Sequence, residues 1–226
     1  MLEAIELERA TPRRRIELAL EEAGGSAVLT TSFGIQSAAL LHMVTQLAPD
    51  IPVVFINTGF LFDETLRFAD ELTERLNLNV KIYTPGQTAD ELIREHGMLW
   101  NDGVDGLARY NQIVKVQPMQ VALEELRPTV WISGLRRSQS RSRLRRQVIE
   151  REAEVTKYHP LVDWSGRDIF LYLRKHGLPY HPLWDQGYLS VGDWHSSAPL
   201  QAGRDEESTR FGGLKRECGL HEKFSK

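Results

Sequence analysis

Cysteine is nearly missing from this 226-residue chain: Cys218 is the only one. A lone thiol closes no intrachain disulfide and shares no metal with other cysteines of its own chain, so a disulfide framework is excluded and a reducing compartment is expected. Long apolar runs are missing too. Stretches such as Ile51 to Ile56 fall far short of the roughly 20 residues that span a bilayer. The first ten residues are acidic and helix-like, not an apolar signal segment. There is no excess of basic charge: 28 Lys and Arg face 31 Asp and Glu, net −3, so no general field attracts nucleic acid and any anion site must be local. Neither a Walker A loop nor a Gly-x-Gly-x-x-Gly fingerprint occurs. Internal repeats and low-complexity tracts are absent. A soluble, cytoplasmic protein is the expectation.

What is present is ordinary in bulk, 41% hydrophobic and 26% charged, and long enough for one large core. Strand-like runs alternate with helical patterns. Strands are expected at Ala27–Thr31, Pro52–Ile56, Asn79–Tyr83, Thr129–Ser133 and Val155–His159. Helices are expected at Ser37–Leu47, Asp63–Leu76 (with Asp63 as cap), Thr88–His96 (opened by the capping-box pattern Thr88-Ala89-Asp90-Glu91), Pro118–Leu126 and Ser165–His176. This order predicts an α/β fold, a mostly parallel sheet with helices on both faces, over residues 1–200 as a single nucleotide-binding domain. Residues 201–226 read as a mobile C-terminal tail. In such a sheet ligands bind at the C-terminal strand ends, at Thr31–Ser37, Asn57–Gly59 and Gly134–Arg146.

Each of those ends is polar. Thr31-Ser32-Phe33-Gly34-Ile35-Gln36-Ser37 supplies hydroxyls, a glycine and a helix N-terminus, either an anion cradle or an ordinary βα turn. Asn57-Thr58-Gly59 suits ligand contact or simply a turn. Gly134 to Arg146 holds six arginines and no acid, which suits a small polyanion better than RNA, because base-stacking aromatics are missing from it. In His181-Pro182-Leu183-Trp184-Asp185 and Gly192-Asp193-Trp194-His195 the His and Asp spacing fits no familiar zinc pattern, and packing around a loop accounts for them. Cys218 is either a bystander or a nucleophile. Lys215, Arg216 and His221 favour its thiolate, Glu217 opposes it, and the polar, terminal surroundings suit an accessible sulfur.

Taken together, these segments resemble the assimilatory sulfonucleotide reductases of the 3′-phosphoadenylyl-sulfate (PAPS) type. The likeness runs from about Ala27 to His221. It rests on Thr31 to Ser37 as a modified PP-loop, Asn57-Thr58-Gly59, Lys115-Val116-Gln117-Pro118, the arginine loop, Tyr180 to Asp185 and, most specifically, Glu217-Cys218-Gly219-Leu220-His221. The resemblance implies an adenine nucleotide alpha hydrolase-like (PP-loop) fold and a role in sulfate assimilation. It implies attack of Cys218 on the sulfur of PAPS, an S-sulfocysteine intermediate, and thioredoxin or glutaredoxin as reductant. It also implies a homodimer with no bound cofactor.

By the same resemblance, Lys115 and Arg210 approach the sulfonate and His221 hydrogen-bonds the thiolate or the sulfonate. Ser32, Phe33, Gly34, Ser37, Asn57, Thr58, Gly59 and Gly134 contact the nucleotide, and Arg136, Arg137, Arg141 and Arg143 face its phosphates. The related adenylyl-sulfate (APS) reductases bind an iron–sulfur cluster through cysteine pairs. Here those positions read Tyr110-Asn111 and Asp193-Trp194-His195-Ser196, and one cysteine cannot supply four thiolates, which goes with PAPS preference and leaves a cluster-free APS reductase as the alternative. Phe33 also replaces the second-position glycine of the ATP-hydrolysing loop, and Thr31 to Ser37 contains no acid, against pyrophosphate removal from ATP.

Overall fold

Short apolar runs separated by amphipathic stretches assemble into one six-stranded sheet. The computed structural model describes residues 2–201 and 209–213. Strands β1 (Ala27–Thr31), β2 (Pro52–Ile56), β3 (Asn79–Tyr83), β4 (Val130–Ser133), β5 (Ile149–Arg151) and β6 (Thr156–Tyr158) lie in the order β3-β2-β1-β4-β6-β5. Neighbours pair in parallel except β5, which is antiparallel to β6. Leu29 faces Val53 on one side and Ile132 on the other, a buried apolar row through the central strands.

The described helices are α1 (Leu2–Arg9), α2 (Pro12–Ala23), α3 (Ala38–Thr45), α4 (Asp63–Leu76), α5 (Ala89–His96), α6 (Gly103–Asn111), α7 (Gln117–Leu126) and α8 (Gly166–Lys175). Strand side chains alternate between the two faces of the sheet. Leu29, Val53, Phe55, Val130 and Ile132 pack with Ile16, Leu41, Phe68, Leu72 and Ile169 from α2, α3, α4 and α8. Val28, Val54 and Trp131 point the other way, onto Met119 and Ala122 of α7. Helices therefore cover both faces, as the alternation predicts.

Local signals explain most boundaries. Thr88 accepts the Glu91 amide at 3.3 Å and Glu91 returns the bond to the Thr88 amide at 2.8 Å, closing the expected capping box. Ser165 caps α8 in the same way with Asp168. Asp63 does not cap α4. Phe62 holds the extended cap position, and Asp63 is the first helical residue, where its charge meets the helix dipole.

Three elements go beyond the expected set. In α2, Ile16, Ala19 and Ala23 form the buried stripe, masked in the sequence by Arg13–Arg15. Arg15 is itself buried and grips Asp163 at 2.7 and 2.8 Å. The glycines of α6 hid a real helix, and β5 is too short to show a period. No helix among the described residues is long and apolar enough to cross a membrane.

Candidate active site

The strand order fans out in opposite directions from β1 and β4, which is where α/β sheets leave a crevice. A cavity of about 600 Å³ opens there, in the range of small-molecule sites. Among the described residues it is lined by four cations, Lys115, Arg136, Arg143 and Arg210, and one carboxylate, Asp193.

Its floor is the turn from β1 to α3. Thr31 Oγ1 accepts the Phe33 amide at 3.0 Å, and Phe33 takes a left-handed φ of 45°. A bulky residue pays for that conformation, and burial of the ring against Phe55, 4.9 Å away edge-on, offsets the cost. Phe33 is thus a core residue, and its side chain does not line the cavity. Its inward turn leaves Ser32, Gly34 and Ser37 on the cavity surface. A side chain at Gly34 would crowd Ser32 Oγ at 3.3 Å. Ser37 stands before α3 without capping it, and its buried hydroxyl has no hydrogen-bond partner.

One wall follows β4. Gly134 and Arg136 line the cavity, and Arg136 Nη2 donates to Gln36 Oε1 at 2.5 Å. Burial pulls the Arg136 guanidinium down to about 10, with Arg143 adding to the fall. Arg143 also lines the cavity and donates to Gln139 Oε1 at 2.5 Å. Two of the four expected arginines do not line it. Arg137 is drawn to Glu8 of α1 at 2.7 Å and to the Arg146 carbonyl at 2.7 Å, while Arg141 is exposed. The loop winds as two short 3₁₀ turns, Arg137–Gln139 and Arg141–Arg143, which splay successive side chains in different directions.

The opposite wall is built by a distorted helix. Pro118 has no amide hydrogen, so the helix widens ahead of it into a π turn, Gln112–Val116, closed by the Gln117 amide on the Gln112 carbonyl. Lys115 sits in that turn. Its Nζ donates to Asp193 Oδ2 at 2.5 Å and to Asn111 Oδ1 at 3.2 Å. Thr58 Oγ1 donates to Asp193 Oδ1 at 2.5 Å. Burial alone would push the Asp193 carboxyl up, but Lys115 and Thr58 outweigh it and hold it below its ordinary value. Thr58 lines the cavity, whereas Asn57 and Gly59 make the turn: Asn57 Oδ1 accepts the Gly59 amide at 3.1 Å, and Gly59 has φ 80°.

Arg210 reaches the cavity through an antiparallel bridge with Ser197. Its guanidinium rests on Gly192, where a Cβ would come within 2.8 Å of Arg210 Cζ. The segments Tyr110-Asn111 and Asp193–Ser196 do come together, as their resemblance to cluster positions implies, with Tyr110 and His195 rings 4.9 Å apart. Here they are filled by the Lys115–Asp193 pair and an aromatic stack in which His195 lies on Trp100 at 3.9 Å. Burial lowers His195 to about 4. The His181 segment packs as expected: His181 is buried, accepts the Leu183 amide at 3.1 Å and meets Thr65 Oγ1 at 3.0 Å.

Cys218 and His221 lie outside the described residues, as does most of the expected tail. Sequence reasoning passed over Asp193, Gly192 and Gln36 as site residues. The available signal for the first two was an acid beside a glycine in a stretch where helical and strand periodicity had faded. Gln36 had a weaker one, lying inside the first polar strand end.

Comparison with known proteins accords with this geometry. The family described as phosphoadenosine phosphosulfate reductase domain matches residues 26–199. A phosphoadenosine 5′-phosphosulfate reductase of Vibrio parahaemolyticus is 51% identical over 218 residues, 96% of this chain and 84% of that protein. One from Salmonella heidelberg is 52% identical over 217 residues, 96% of this chain and 89% of that protein. The crystal structure of PAPS reductase from Candida auris, a phosphate complex, superposes with a TM-score of 0.73 at 29% identity, covering 85% of this chain and 92% of that one. FMN adenylyltransferase from Candida glabrata shares the fold at TM-score 0.61 and 13% identity, covering 96% of this chain and 77% of that one.

Proposed function

Since the chain belongs to the phosphoadenosine phosphosulfate reductase family, we propose that it converts PAPS to sulfite and adenosine 3′,5′-bisphosphate with Cys218 as nucleophile and thioredoxin or glutaredoxin as reductant. The observation that carries this reading is the convergence of Lys115, Arg136, Arg143 and Arg210 on one switch-point cavity in a chain of net negative charge. Arg136 and Arg143 take the phosphates, with Ser32, Gly34, Ser37 and Gly134 at the floor. Lys115 and Arg210 take the sulfonate.

The chemistry balances with one thiolate. Cys218 Sγ attacks the sulfonate sulfur, the bond from that sulfur to the phosphate oxygen breaks, and the bisphosphate leaves with the electron pair. Cations beside the sulfonate stabilise charge as it builds. A thiolate of the external dithiol then attacks Cys218 Sγ. Sulfite departs, and the second external thiol resolves the mixed disulfide, so two electrons from the dithiol regenerate Cys218. Within the tail, the stretch beyond the Arg210 clasp presents Cys218 first to the cavity and then to the partner, with His221 supporting the thiolate or the sulfonate.

Incubation with PAPS and no reductant should place one sulfonate on Cys218, read by mass spectrometry, and Cys218→Ser should take none. An unmodified wild-type thiol would overturn the reading.

A further inference from the structure

We propose that Asp193 is a positioning residue: its carboxylate, anchored by Thr58, holds the Lys115 ammonium in the one orientation that serves the sulfonate. This rests on the reading above.

Asp193 has no exposed surface, and each of its oxygens has its own short donor, Thr58 on Oδ1 and Lys115 on Oδ2. Its backbone is equally constrained. It bridges to Leu61, its carbonyl accepts the Ser196 amide and the hydroxyls of Ser196 and Ser197 at 3.0 Å each, and the next amide, Trp194, donates to the Phe60 carbonyl at 2.9 Å. Lysine by contrast ends a flexible four-carbon stem. An ammonium has three donors. Asp193 and Asn111 take two, so the direction of the third is set by tetrahedral geometry, and Lys115 lines the cavity. The rings of Tyr110 and Phe211, 5.4 and 5.6 Å from Nζ, limit its alternatives further. A buried ion pair adds little stability over well-packed apolar side chains, so the worth of this one lies in where it leaves the cation.

The test compares wild type, Asp193→Asn, Lys115→Met and the double variant. Two quantities are read: the single-turnover rate of sulfonate transfer to Cys218 without reductant, and affinity for adenosine 3′,5′-bisphosphate, which lacks the sulfonate. Each single variant should slow transfer about a hundredfold, the scale of a misplaced or deleted transition-state donor, while binding the bisphosphate like wild type. The double variant should be no slower than Lys115→Met alone. Wild-type transfer by Asp193→Asn, or a full further loss when it is added to Lys115→Met, overturns the proposal. If Asp193→Asn loses bisphosphate binding as well, Thr58→Val decides. It removes one anchor and keeps the charge pair, and should slow transfer about tenfold, the lower end for a charge-assisted hydrogen bond; an undiminished rate overturns the proposal. If wild type transfers nothing, the parent reading falls and takes this one with it, whereas wild-type transfer with an indifferent Asp193 removes this one alone.

Discussion

The wall after β4 and the wall around Lys115 both turn cations toward one cavity, but they hold charge differently. After β4, arginines are supplied in excess along a loop with no acid of its own, and neutral amides hold two of them in place: Gln36 meets Arg136 and Gln139 meets Arg143. Around Lys115 a single ammonium is paired with a fully buried carboxylate, and Arg210 lies on a bare glycine. On the proposed reading, the first arrangement offers several guanidiniums to a multiply charged group. The second gives up part of that attraction to fix a direction. The proposed reading thus assigns grip to one wall and aim to the other.

Three substitutions probe the two walls. The largest effect is expected for Arg210→Met, which should cut sulfonate transfer about a hundredfold while leaving bisphosphate affinity intact in calorimetry. Loss of affinity in place of rate would erase the distinction between the walls. Next, Arg143→Ala should weaken PAPS binding by about 1.5–3 kcal/mol and APS binding by less. Equal losses would detach Arg143 from the 3′-phosphate. The smallest effect concerns stability. His195 titrates near 4 in the folded protein against an ordinary value of 6.5, so between those values the unfolded chain binds the extra proton. Stability from this group is complete above about 6.5 and declines as pH falls toward 4. His195→Phe keeps the stack on Trp100 and should flatten the fall of Tm over that window. An unchanged slope would place the titration elsewhere.

Sequence periodicity located the parallel strands to within a residue or so, because each is a short buried run bounded by polar turns. It also located the capping boxes at Thr88 and Ser165, which are local devices. The cavity floor was readable for the same reason, apart from Phe33, whose inward turn depends on a ring 22 residues later in β2. What escaped was long-range. Arg137 is taken from the cavity by Glu8, 129 positions away, and Asp193 acquires its role from Thr58, 135 positions away, and Lys115, 78 away. Neither partner is visible in the neighbouring residues. Lys115 was singled out through resemblance; the π turn that aims it follows from Pro118 but becomes evident only once both flanking helices are known.

The bridge between Ser197 and Arg210, backed by the Ala198 amide on the Thr209 carbonyl at 3.0 Å, has a further consequence. Gly213 is the last described residue beyond that clasp, and Cys218 follows five positions later, a leash of at most about 18 Å when stretched. If Cys218 is the nucleophile proposed above, a tether that short supplies its thiol at an effective concentration on the order of millimolar, whatever the dilution of the protein. Cutting or lengthening the leash would therefore change how often the sulfur arrives without altering a single contact in the cavity.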